Sequence, residues 1–142
     1  MRSKSCVETM MAVEEAASAV RAAKKLDSSV DVLATMTFDR TPKGFRTIMG
    51  VDPQAAVEGL LGAGADVVGS NCGNGIEAMV ELAAALQEHT DKPILIHPNA
   101  GLPQLVDGKT VFQQGPADFA SSVKPLIEAG ANIVGGCCGT TP

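Results

Sequence analysis

Gly64-Ala65-Asp66-Val67-Val68-Gly69-Ser70-Asn71-Cys72 and Gly130-Ala131-Asn132-Ile133-Val134-Gly135-Gly136-Cys137-Cys138-Gly139-Thr140 are two versions of one phrase. Laid over each other at an offset of 66 residues, they put Cys72 opposite Cys138, each just past a short apolar run. A glycine precedes each run and closes the helical pattern before it, as expected where a helix hands over to a strand buried in a parallel sheet. The thiols of Cys72, Cys137 and Cys138 therefore emerge at equivalent strand ends. Soft ligands at two equivalent positions, one of them doubled, suit a trigonal thiolate cradle for zinc better than a disulfide plan. On the residues alone, the competing reading of small buried cysteines at glycine-rich turns stays open.

Outward from these phrases, strand and helix patterns alternate along the chain. A short strand at 6–8 leads into a helix at 11–26, where Val13, Ala16, Ala17, Val20 and Ala23 keep helical spacing. The run 31–38 reads as a strand, and Pro42 with Gly44 marks a loop. Asp52 is placed as an N-cap with Pro53 at the first helical position, and that helix ends at Gly62 or Gly64. The strand 66–70 follows. Ile76, Met79, Val80, Ala83 and Leu86 stripe the next helix, and Pro93 closes it before the strand 94–97. After the long connection 98–115, a helix begins at Pro116 and turns Phe119, Val123, Leu126 and Ile127 toward a core before the strand 132–135.

Five strands alternating with four helices predict an α/β fold with a parallel sheet covered by helices on at least one face. In such folds the active residues collect at the C-terminal ends of the strands. Glu8, Asn71, Cys72, Asn99, Cys137 and Cys138 all fall there, as does the connection 98–115.

Composition narrows the function. The 142 residues are 45% hydrophobic, enough for one globular core, and no apolar run approaches the roughly 18 residues of a membrane span. Formal charge is -5 and the eleven basic residues are scattered, which argues against nucleic acid. With no Trp or Tyr and four Phe, base stacking has few platforms. Four cysteines without a signal peptide point to a reducing compartment, the cytoplasm, where paired thiols serve metals or catalysis.

Several phrases resemble one family. Glu8-Thr9-Met10, Thr35-Met36-Thr37-Phe38, Asn71-Cys72, Pro98-Asn99-Ala100-Gly101-Leu102-Pro103, Asp107-Gly108-Lys109 and Gly135-Gly136-Cys137-Cys138-Gly139-Thr140-Thr141-Pro142 resemble the homocysteine-binding domain of cobalamin-dependent methionine synthase. Betaine-homocysteine and S-methylmethionine-homocysteine methyltransferases are its relatives. The resemblance implies a parallel (βα)8 TIM-type barrel that methylates homocysteine sulfur, with Cys72, Cys137 and Cys138 as zinc ligands. It implies Glu8 as the contact for the substrate amino group, with Asn71 and Asn99 beside it, and methylcobalamin carried on a separate module, so that cobalamin- and folate-binding modules are the expected partners.

Against the family pattern, the whole chain 1–142 reads as part of that barrel, the N-terminal units and the final helix being absent. Met1-Arg2-Ser3-Lys4 is polar where a buried strand is expected, and the chain stops at Pro142. Such a remnant has two open sheet edges, which predicts self-association. It also opens two rivals to an active enzyme: a fragment that binds zinc without turnover, and a metal-free thiol redox or structural domain. Cys6 is expected to be a core thiol and His97 a packed barrel histidine. Asn71 is expected to orient the cysteine loop as well. Asn99 is read either as filling zinc's fourth position when homocysteine is absent or as a turn residue.

Overall fold

The computed structural model describes residues 3–73 and 75–141; Met1, Arg2 and Pro142, which enter the expectations about the two chain ends, lie outside the described residues. Strand β1 (Lys4–Met10) leads into α1 (Val13–Leu26), then β2 (Asp31–Met36) and a short hairpin of β3 (Asp39–Thr41) and β4 (Gly44–Arg46). Next come α2 (Pro53–Gly62), β5 (Val67–Cys72), α3 (Ile76–Gln87) and β6 (Ile94–Pro98). A second hairpin, β7 (Pro103–Val106) with β8 (Lys109–Phe112), precedes α4 (Pro116–Glu128) and β9 (Ile133–Val134). Five strands form one sheet in the order β1-β2-β5-β6-β9, each pair parallel.

The expected five strands and four helices are present. The two hairpins are not in the sequence reading, and each has a local cause. Asp107 and Gly108 both take positive φ, 50° and 75°, which is the turn that an Asp-Gly pair supplies between two strands. Gly44, at φ 89°, closes the first hairpin in the same region of backbone space. The connection 98–115 is therefore structured.

Register decides which face is buried. Ala34 pairs with Val68 and Val68 with Ile94, so Val32, Ala34, Val68, Ile94 and Ile96 share one face. That face packs with Ala16, Val20, Val57, Leu60, Met79 and Leu86 of the first three helices into one apolar cluster. Helix α2 starts where the chain supplies a cap: the Asp52 carboxylate accepts from the Ala55 N–H at 2.8 Å, with Pro53 at the first position. Helix α1 carries Glu14 and Glu15 in its first turn and Lys24 and Lys25 in its last, each sign at the favoured end of the helix dipole.

Two expectations about the core change. Cys6 is exposed, because β1 is a sheet edge and the Cys6 side chain alternates with the core-packed Val7 onto the face away from the helices. Its thiol is pushed up by partial desolvation and by the Glu8 carboxylate. In α4, Leu126 alone is fully buried, and Ile127 is 57% exposed. Among the described residues α4 packs mainly on α3, so its stripe is only partly covered.

The start of β5 is pinned electrostatically. Lys24 Nζ donates to Asp66 Oδ2 at 2.6 Å and to the Val30 carbonyl at 2.7 Å, while the Val32 N–H donates to the same Asp66 oxygen at 2.8 Å. Burial works against the charged carboxylate, but the Lys24 and Val32 hydrogen bonds and the charges of Lys24 and Lys92 outweigh it, so Asp66 titrates below the usual carboxylate range. A folded-state pKa below the unfolded one stabilises the fold above roughly pH 4, and that contribution is lost as pH falls through the folded value. Because 43% of the Asp66 side chain stays in water, screening keeps the effect near 1 kcal/mol, about the worth of one such bond. Asp66→Asn is expected to lower stability by about that amount at pH 7 and to flatten its acid dependence, measured by urea unfolding at pH 7 and pH 3.

Candidate metal centre

Strands β5 and β9 do not touch; β6 lies between them and ends at Pro98. Cys72 closes β5 paired with Pro98, and on the other side the Cys137 N–H donates to the Pro98 carbonyl at 2.9 Å. Both cysteines are thus delivered to one strand end by the sheet's own hydrogen bonds. Cys72 turns out of the strand through a left-handed backbone, φ 63°. Cys137-Cys138-Gly139-Thr140 forms a tight turn in which the Thr140 N–H and Oγ1 both donate to the Cys137 carbonyl, at 3.2 and 2.7 Å. Gly139 takes φ 80°, the value that the third position of a type II turn requires.

The result is three sulfurs in a triangle. Cys72 Sγ lies 3.2 Å from Cys137 Sγ and 3.8 Å from Cys138 Sγ, and Cys137 and Cys138 are 3.9 Å apart. Zinc takes thiolate sulfur at about 2.3 Å in tetrahedral geometry, which spaces sulfurs about 3.8 Å apart. Two of the three separations match and the third needs only a slight opening, so these residues fit a zinc ion with one coordination position left over. Among the described residues they are the only such cluster.

The surroundings bias the thiols unequally. Burial, together with the neighbouring Cys137 and Cys138, pushes Cys72 up to about 12. Burial acts in the same sense on Cys137, but the hydrogen bonds from Cys72, the Asn71 amide and the Cys138 N–H outweigh it and bring that thiol below its ordinary value. Without a cation, one sulfur of the triangle carries charge more readily than its neighbour.

The asparagines stand behind the triangle. Asn71 is 0% exposed. Its Oδ1 accepts from the Thr9 N–H at 2.8 Å and Thr35 Oγ1 at 2.7 Å, and its Nδ2 donates to Thr9 Oγ1 at 2.7 Å and Cys137 Sγ at 3.7 Å. Every hydrogen-bonding capacity of the amide is taken by protein, so the expected substrate contact through Asn71 finds no free group. Asn99 bridges the two cysteine loops, its Nδ2 donating to the Gly73 carbonyl at 3.3 Å and its Oδ1 accepting from the Cys138 N–H at 3.1 Å. Glu8 is exposed on β1, close enough to His97 for its charge to act there. His97 is half-buried against Gly135, where an added Cβ would come within 2.7 Å of the ring; burial lowers its pKa and Glu8 opposes the shift.

Thr9, Thr35 and Thr140 hold this site, and the sequence reading gave them no role. Their signal is faint: a hydroxyl near a strand end, inside phrases singled out for other residues. A cleft of about 600 Å³ lies behind the turn, lined by Gln114, Phe119, Val123, Gly136 and Thr140 among others, and none of the three thiols lines it.

Comparison with known proteins bears on this geometry. Residues 5–142 match the family described as homocysteine S-methyltransferase. A methionine synthase of Mycobacterium tuberculosis is 33% identical over 123 residues, 86% of this chain and 10% of the relative. A homocysteine S-methyltransferase 2 of Arabidopsis thaliana is 39% identical over 64 residues, 43% of this chain and 19% of the relative. The fold is similar to that of the homocysteine methyltransferase MmuM from Escherichia coli in its apo and metallated forms, each with a TM-score of 0.72 and 22% identity over 96% of this chain. The chain spans 45% and 41% of those two structures' chains, and about a tenth of the methionine synthase.

The distances predict an oxidation product. In metal-free protein, diamide is expected to take two hydrogens from Cys72 and Cys137 and join them in a disulfide, while Cys6, outside the cluster, stays free. Peptide mapping under non-reducing conditions checks the pairing.

Proposed function

The chain belongs to the homocysteine S-methyltransferase family, and from that footing we propose that it holds homocysteine and presents its sulfur as a methyl acceptor, giving methionine. The observation that carries this reading is the sulfur triangle built from Cys72, Cys137 and Cys138. A free thiol with a pKa of about 8.5 is only a few per cent thiolate at neutral pH, so the acceptor needs activation. Cys72, Cys137 and Cys138 would hold a zinc ion, which would supply Lewis acidity that lowers the pKa of a thiol bound beside them.

The chain's own residues then have separable tasks. Cys72, Cys137 and Cys138 hold the metal, and the bridge made by Asn99 keeps their two loops at a fixed separation. The exposed Glu8 carboxylate binds the substrate's ammonium group, which sets the direction from which the sulfur approaches. Gly135 and Gly136 leave room beside the turn for the His97 ring and the Thr140 side chain. In the overall transfer a carbon–sulfur bond forms, the thiol proton leaves to solvent, and the methyl donor departs with the electron pair of its broken bond.

Identity to methionine synthases favours methylcobalamin on a separate module as the donor, itself recharged from methyltetrahydrofolate; betaine or S-methylmethionine are the donors of the alternative reading. Cobalamin- and folate-binding modules are then the partners. Four free cysteines, three of them close enough to oxidise together, suit the cytoplasm. No helix among the described residues is long and apolar enough to cross a membrane. A second reading is metal and homocysteine binding without turnover.

Metal content decides first. Protein purified under reducing conditions is expected to carry one zinc per chain, and Cys138→Ser to carry none; a folded wild type without zinc would sink the proposal. Glu8→Gln is expected to keep its zinc while homocysteine binding weakens about ten- to a hundredfold, the worth of one hydrogen bond to a charged group. Methionine formed with methylcobalamin, absent with betaine, would fix the donor, and binding without any product would establish the second reading.

A further inference from the structure

The amide of Asn71 can face only one way. The Thr9 backbone N–H can only donate, so the atom 2.8 Å from it must be the carbonyl oxygen, Oδ1; Thr35 Oγ1 donates to the same oxygen from β2. That leaves the NH2 group facing Thr9 Oγ1 and Cys137 Sγ. Thr37 Oγ1 donates to the backbone carbonyl of Asn71, at 3.2 Å. One buried side chain thus ties β1, β2 and β5 to the turn after β9.

Thr9 is the second unusual feature. A β-branched residue at φ 61° is a backbone outlier, and it sits where the β1–β2 register breaks between Val7 and Met10. The two hydrogen bonds between Asn71 and Thr9, one accepted from its N–H and one donated to its hydroxyl, hold it in that conformation. Glu8 is its immediate neighbour, so the same break sets where the carboxylate points. At its other end the amide places an N–H against the sulfur of Cys137, which withdraws charge from that thiolate.

We infer that Asn71 is a positioning residue that couples the placement of Glu8 on β1 to the geometry and charge of Cys137. Thr35 fixes its orientation and Thr9 transmits it. The inference rests on the zinc-site reading above, and concerns which residues govern that site rather than which residues form it. The Glu8 carboxylate and the Cys137 sulfur are then set by one side chain, though they arise from strands at opposite edges of the sheet.

Cobalt(II) in place of zinc gives a direct readout, because the sulfur-to-metal charge-transfer band reports the charge on sulfur. Asn71→Asp keeps shape and acceptors but removes both N–H donors. It is expected to lower metal affinity about ten- to a hundredfold in chelator competition, the usual cost of a lost partner to a ligand. The band should move to lower energy, and more homocysteine should be needed to perturb it. Thr35→Val, which is remote from the metal, should shift affinity and band in the same direction by less, and it serves if Asn71→Asp fails to fold. A folded variant of either kind with wild-type affinity and an unmoved band overturns this inference and leaves the zinc reading intact. Wild-type protein that takes up no metal removes the zinc reading and this inference with it.

Discussion

Everything at the site depends on the end of β6. Pro98 accepts Cys137 on one side and pairs with Cys72 on the other, so the sheet's hydrogen bonding brings together sulfurs separated by 65 residues of chain. Parallel strands of one sheet end at a common edge, and residues just past that edge are the ones a fold can gather from distant sequence. The triangle follows from register before any side-chain preference acts. The turn of Cys137-Cys138-Gly139-Thr140 adds the second adjacent sulfur, because Thr140 closes it back onto the Cys137 carbonyl.

Such a cluster has a cost that the rest of the site offsets. Three thiols within 3.9 Å cannot all ionise without a cation. Buried polar groups are tolerated when every donor and acceptor is used. Asn71 meets that condition through Thr9, Thr35 and Cys137, and Asn99 uses both ends of its amide between the two loops. The polar layer is thus a scaffold for the sulfurs, while the exposed Glu8 remains available to a ligand.

Legibility in the sequence followed the range of the interactions involved. The four helices could be read because caps and periodic apolar residues are local: Asp52 with Pro53 begins α2 where expected, and Ala16, Ala17 and Val20 of α1 are buried. The hairpin at Pro103–Val106 and Lys109–Phe112 is local too, turned by Asp107-Gly108, but its strands are almost wholly exposed and carry no apolar alternation to mark them. Burial was less legible at the sheet's edge and in α4. Alternation in β1 does not say which face the helices cover, and Ile127 keeps helical spacing yet stays largely exposed.

By itself the sequence determined the strand-helix order, the three cysteines at strand ends, and through them the chemistry the chain can support, because residue type and local periodicity carry that information. Only the tertiary structure decided that Cys137 rather than Cys138 lies nearest Cys72, that Cys6 is exposed, and that Asn71 is spent on Thr9, Thr35 and Cys137. Those outcomes hang on sheet register and on a backbone break at Thr9, which join residues far apart in the chain. No spacing along a single sequence encodes such a meeting.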